Sequence, residues 1–269
     1  MNSTTATRAG QTLWAFPPLQ PLLGSGEVHV WRASLAVAPA ILSGLLATLS
    51  DQEKARASGF RFERDRDHFV AAHAILRRLA GRYLDRRPSD LQITAEPMRK
   101  PTLTGDDAES AIRFSLSHAG GLALFAFSHA GEVGIDLEKA VPLDLDELTG
   151  FFCEREIAEL RCLVGPARQA ALLRGWTRKE AYIKAIGQGM SASLQDIQVT
   201  LAPGATVLLR SPQGDEDVGR WAMKDLDVAP GFAACVVWER EAALTCWACP
   251  WPAALGPRLH HPAERIQTA

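Results

Sequence analysis

Twice along this chain a long helical stretch gives way to short strands, and that repetition limits the fold more than any other feature. Phe69, Ala72, Leu76, Leu79 and Tyr83 recur at helical spacing and predict an amphipathic helix over Arg64–Tyr83. Arg113–Ser117, Leu122–Phe127 and Glu132–Glu138 predict three strands after it. In the second half a short helix is predicted at Glu154–Cys162 and a long one at Ala167–Ile186, with Gly187-Gln188-Gly189 as its stop signal. Strands near Ile197–Leu201, Val207–Leu209 and Phe232–Trp238 follow. With an opening strand at Val28–Arg32, the order implies an α+β fold of two similar subdomains. The expected division is a flexible N-terminal segment 1–26, an N-terminal subdomain 27–132, a C-terminal subdomain 133–250 and a flexible tail 251–269, both ends being polar and proline-containing.

Composition narrows the partners. At about 150 residues per domain, 269 residues make one large domain or two modest ones. No run approaches the roughly 18 apolar residues that a spanning helix needs, so no membrane partner is expected. A net charge of −2 argues against a dedicated nucleic-acid binder, yet Lys54–Arg87 holds ten basic residues against four acidic ones and suits an anionic ligand or partner. Five cysteines form no even framework, and Cys246-x-x-Cys249 lacks a second pair or spaced histidines, which points to a reducing cytoplasm rather than to zinc.

Three clusters can carry chemistry, and each has a plainer alternative. Asp136 and Glu138, two apart in Gly134-Ile-Asp-Leu-Glu138, fall on one strand face with their Cα atoms about 7 Å apart. A hard cation such as Mg²⁺ would relieve their repulsion, whereas a solvated strand face needs no cation. Glu180 and Lys184 are helix neighbours sharing a turn with Trp176 and Ile183, residues that favour burial, although such a pair is commonly a surface ion pair. Arg99-Lys100-Pro101 with Ser117-His118 offers basic groups and a hydroxyl for phosphate, against the alternative of a turn histidine. His129 has the same local neighbours as His118 and serves as its control.

Together these segments resemble the phosphopantetheinyl transferases of the surfactin-synthetase-activating type. The shared pattern is Lys100-Pro101, then Phe114-x-x-Ser117-His118, then Gly134-Ile135-Asp136-x-Glu138, then Trp176-Thr177-x-Lys179-Glu180-Ala181-x-x-Lys184-x-x-Gly187-x-Gly189, over about residues 28–240. The resemblance implies a pseudo-dimer of two subdomains with the active site in the cleft between them. It also implies transfer of the phosphopantetheine arm of coenzyme A to a serine of an apo acyl, peptidyl or polyketide carrier protein, by a monomer.

By the same resemblance, Asp136, Glu138 and Glu180 hold Mg²⁺ or Mn²⁺, and Glu180 is the candidate base. Lys184 contacts the pyrophosphate, while Arg56, Lys100, Ser117 and His118 hold coenzyme A phosphates. Glu53 and His68 depart from the Lys or Arg common there in relatives. A non-catalytic relative that binds coenzyme A or carrier protein is the alternative, and a metal-dependent phosphohydrolase is a third reading.

Overall fold

The computed structural model describes residues 12–18, 21–94, 100–129, 131–142, 144–189, 193–204 and 206–249. Its first half runs β1 (Glu27–Ser34), α1 (Pro39–Leu46), α2 (Asp51–Ser58), α3 (Glu63–Leu84), β2 (Ile93–Thr94), β3 (Thr102–Leu103), β4 (Ile112–Ala119) and β5 (Leu122–His129). The second half runs β6 (Val133–Lys139), α4 (Leu145–Leu148), α5 (Glu154–Cys162), α6 (Gly165–Ile186), β7 (Gln198–Val199), β8 (Leu208–Arg210), α7 (Asp215–Arg220), β9 (Trp221–Asp225), β10 (Phe232–Glu239) and β11 (Ala243–Ala248).

The repetition read from the sequence is a repetition of topology. One sheet contains the order β1-β5-β4 and the other the order β6-β10-β9, so in each half the first strand pairs with the third and the third with the second. A helix of 22 residues lies between the first and second of those strands in both halves. The fold is α+β.

Alternation along the strands sorts side chains into three cores. Trp31, Phe125 and Phe127 meet Phe69, Leu76 and Leu79 of α3. On the other half, Cys235 and Val237 meet Leu172, Tyr182 and Ile183 of α6. Between the two sheets, Val28, Val30, Leu124 and Ala126 of the first pack on Ile135, Leu137, Val236 and Trp238 of the second. Each fully buried large apolar side chain contributes roughly 1.5–3 kcal/mol.

Helix α6 approaches β6 unusually closely. A Cβ at Gly134 would stand 2.0 Å from the Ala181 carbonyl oxygen and 2.4 Å from the Ala185 nitrogen, so the glycine on the strand and the two alanines on the helix form one small-residue contact. At its end α6 stops on Gly187, whose φ of 68° is the left-handed cap that glycine adopts at low cost.

Three expectations need correction. Residues 12–16 lie within the segment expected to be flexible, yet Thr12 is buried, its hydroxyl accepts from Asp227 N, and Ala15 bridges to Trp247. Ordered packing therefore begins earlier than residue 27. Strand β11, assigned by position to the C-terminal subdomain, pairs in parallel with β1 and belongs to the first sheet. Strand β9 lies where none is expected, while the predicted strand at Ile197–Leu201 shrinks to the two residues of β7. The expected tail 251–269 lies outside the described residues, as does Arg99.

Candidate active site

The site begins with the anchoring of α6. Arg178 is fully buried and grips both Asp225 oxygens, at 2.9 and 2.6 Å, from its Nε and Nη2. Lys179 is equally buried and donates to Glu156 at 2.5 Å and to the carbonyls of Phe151 and Leu194 at 3.0 and 2.9 Å. With these two cations turned into the C-terminal half, Trp176, Glu180 and Lys184, spaced four apart, form the opposite, half-buried stripe.

That stripe meets Asp136 and Glu138. Asp136 points to the α6 side of β6 because its neighbours Ile135 and Leu137 fill the core between the sheets. The Lys184 ammonium donates to Asp136 Oδ1 at 2.6 Å and to Ser117 Oγ at 3.2 Å, and the Ser117 hydroxyl donates to the same Oδ1 at 3.0 Å. Asp136 Oδ2 is buried without a hydrogen-bond partner.

Electrostatics bind the three acids into one group. Burial, then the charge of Asp136, hold the Glu138 carboxyl above its ordinary range, against a hydrogen bond from Trp176 and the pull of Lys184. Burial likewise raises Glu180, opposed by Lys184 and reinforced by Asp136. Among the described residues no three His, Cys, Asp or Glu side chains stand close enough to form a ready metal cage. The donor chemistry still suits a hard divalent cation, because three mutually repelling carboxylates include one buried oxygen lacking any partner.

Beside the acids lies a basic rim. Crowding by protein, then the positive charges of His73, His68, Lys184 and Arg56, push the His118 imidazole down to about 4. The residue is nonetheless exposed at the end of β4. The Arg56 guanidinium lies 5.4 Å from the Phe69 ring centroid, and the His73 ring stacks on the same phenyl at 4.0 Å. His68 borders Gly121 in the turn between β4 and β5. Thus Arg56, Ser117, His118 and Lys184, expected to bind phosphates, are brought together.

Comparison with known proteins supplies the deciding observation. Residues 31–130 match the N-terminal part of the 4'-phosphopantetheinyl transferases, and residues 132–237 match the 4'-phosphopantetheinyl transferase superfamily. The chain is 42% identical over 195 residues to the 4'-phosphopantetheinyl transferase HetI of Nostoc sp., an alignment covering 72% of this chain and 82% of that protein. The chain belongs to the 4'-phosphopantetheinyl transferase superfamily. It is also 24% identical to the 4'-phosphopantetheinyl transferase Sfp of Bacillus subtilis, over 71% of this chain and 82% of Sfp. Among solved structures, a holo-(acyl-carrier-protein) synthase from Bacillus anthracis in complex with coenzyme A (3',5'-ADP) is 24% identical and covers 40% of this chain and 94% of that chain, with a TM-score of 0.34.

Not every residue expected from the transferase pattern joins the cleft. Lys100 is turned to Glu132 at 3.2 Å and the Val133 carbonyl at 2.8 Å, and it lines a separate cavity of about 440 Å³ with Ile112, Phe114 and Ile186. That places it at the far end of β4 from His118. His129 lies opposite Ile112 in the β4–β5 ladder, also at the far end, so its resemblance to His118 is confined to local sequence. Cys246 packs between the sheets while Cys249 packs toward α3, so the C-x-x-C spacing brings no thiol pair together.

Glu53 proves to be structural. It is buried, accepts from His73 Nδ1 at 2.9 Å and Arg77 Nε at 2.7 Å, and closes a capping box with Ser50 at the start of α2. It thereby fastens α2, with Arg56 on it, to α3. Sequence reasoning missed this role and that of Gly134, Ala181 and Ala185. Their small size inside two motifs was the available signal.

Proposed function

We propose that this chain transfers the 4'-phosphopantetheine arm of coenzyme A to a serine hydroxyl of an apo carrier protein and releases adenosine 3',5'-bisphosphate. The observation that carries the reading is the meeting of Asp136 and Glu138 on β6 with Glu180 and Lys184 on α6, beside the basic rim of Arg56, His68, His73 and His118.

In this reading Asp136, Glu138 and Glu180 would hold Mg²⁺, which when bound neutralises pyrophosphate charge and polarises the phosphorus under attack. Lys184 then places its ammonium on the pyrophosphate oxygens, where charge grows as the bond to the leaving bisphosphate breaks. The Arg56 guanidinium, and the His118 imidazole as a neutral N–H donor, bind the phosphates of the nucleotide end and orient the arm. A carboxylate whose basicity is raised by burial, Glu180, is suited to accept the serine proton as its oxygen attacks. The proton passes from serine to carboxylate, the pantetheine phosphorus gains the serine oxygen, and the bisphosphate departs with the former bridging oxygen.

Both walls of the cleft come from one chain, so the proposed working unit is a monomer. Free cysteines at all five positions favour a reducing cytoplasm as its setting, and no described helix is long and apolar enough to cross a membrane. The test is mass spectrometry of a panel of apo acyl, peptidyl and polyketide carriers after incubation with the protein, coenzyme A and Mg²⁺. A carrier heavier by one phosphopantetheine is expected, with no gain when chelator replaces the metal. Phosphate release from coenzyme A without any carrier would instead identify a phosphohydrolase.

A further inference from the structure

The hydroxyl of Ser117 is engaged on both sides. It donates to Asp136 Oδ1 at 3.0 Å and accepts from Lys184 at 3.2 Å. A serine has one hydroxyl hydrogen to give. Given to Asp136, that hydrogen is not available to a phosphate oxygen, the ligand that family resemblance suggests for this residue.

The consequence for Asp136 is asymmetric. Two donors meet on Oδ1, whereas Oδ2 has none, in a side chain that is only 4% exposed. Without a fixed donor the carboxylate can turn about its Cβ–Cγ bond and exchange its two oxygens. Lys184 is a flexible donor, 27% exposed, and an incoming pyrophosphate competes for its ammonium. Ser117 is a short side chain on a strand and does not leave.

Strand register adds a second, independent observation. Ser115 lies two residues before Ser117, on the same face of β4, and its Oγ accepts the Ile135 N–H at 3.1 Å. One serine therefore holds the backbone next to Asp136 and the other holds its side chain. The geometry points to Ser117 as a positioning residue, which fixes the Asp136 carboxylate so that Oδ2 is presented to a divalent cation beside Glu138 and Glu180. This inference rests on the metal reading proposed above.

The experiment titrates Mn²⁺ into the full-length protein and follows free Mn²⁺ by electron paramagnetic resonance, with and without coenzyme A. The variants are S117A, S117T and D136N, each checked by circular dichroism. Coenzyme A affinity is measured separately in chelator by calorimetry. Loss of an outer partner of a ligand weakens metal binding about 10-fold or more, so S117A is expected to show that loss with its coenzyme A affinity in chelator unchanged. S117T, which keeps the hydroxyl and suits a strand, is expected to stay within about twofold of the wild type. S117A that binds Mn²⁺ like the wild type, while D136N does not, overturns the positioning role alone. S117A that loses coenzyme A affinity in chelator but keeps Mn²⁺ makes Ser117 a phosphate ligand and also overturns it. If D136N binds Mn²⁺ like the wild type, the metal reading falls, and the positioning role falls with it.

Discussion

Replacing Gly134 with alanine tests how closely the site depends on the contact between β6 and α6. The added methyl would sit 2.0 Å from the Ala181 carbonyl oxygen and 2.4 Å from the Ala185 nitrogen, both backbone atoms of a helix that no rotamer change can move aside. Contacts of this kind do not fall below 3.0 Å, so α6 must retreat by about 1 Å in an interior packed as densely as this. Lys184 travels with it. Its 2.6 Å contact with Asp136 would open to about 3.6 Å, outside the range of a charge-assisted hydrogen bond. Overpacking of this kind costs about 1–3 kcal/mol, and at about 3 °C per kcal/mol for a chain of this size the thermal midpoint should fall by about 3–9 °C. The effect on turnover should exceed the effect on stability, since a 1 Å misplacement of reacting groups costs up to about 100-fold. Calorimetry and the initial rate of carrier loading, measured well below the midpoint, give the two quantities. A G134A protein with wild-type turnover would refute the claim that this glycine sets the distance between the acids of β6 and the lysine of α6.

Further outcomes follow from the same contacts. K179A should destabilise the fold by about 3–5 kcal/mol in urea melts, because it leaves the Glu156 carboxylate, held by the Cys153 and Val199 N–H groups, without its counter-charge in the core. For Glu53, burial alone would raise the carboxyl, but hydrogen bonds from His73 and Ser50 N and the charge of Arg77 bring it down to about 2. An acid depressed on folding stabilises fully above its unfolded value near 4.5 and loses that contribution as pH falls toward 2, so E53Q should flatten the acid limb of stability against pH. W176F keeps an aromatic edge against Phe151 but removes the donor to Glu138, and should slow carrier loading about 10-fold with the melting midpoint nearly unchanged.

Much of this architecture was legible in the residues because its signals are local. The helix predicted at Arg64–Tyr83 is α3 at Glu63–Leu84, and the helix predicted at Ala167–Ile186 is α6 at Gly165–Ile186, since apolar periodicity and a glycine cap act within a few turns. Asp136 and Glu138 share a face because alternation along a strand is geometric. What stayed hidden depends on partners distant in the chain. Ala243–Ala248 becomes a strand by pairing with Glu27–Arg32, more than two hundred residues away, and nothing in its composition specifies that partner. Lys100 sits beside Pro101 as the transferase pattern requires, yet its ammonium is taken by Glu132 and Val133, a choice made by tertiary packing. Glu53 looked like a charge in the wrong place until His73 and Arg77 closed around it.

The pairing of β1 with β11 also bears on cooperativity. The chain crosses from the first sheet to the second after β5 and returns after β10, and the two crossings touch where Glu132 N donates to Glu239 Oε1 at 3.3 Å. Cutting at residue 131 would strip β1 of its parallel neighbour and expose the apolar layer shared by Val28, Leu124, Ile135 and Val236. A twofold repeat built this way should melt in a single calorimetric transition, with calorimetric and van't Hoff enthalpies equal, because the layer that joins the repeats is shared by both.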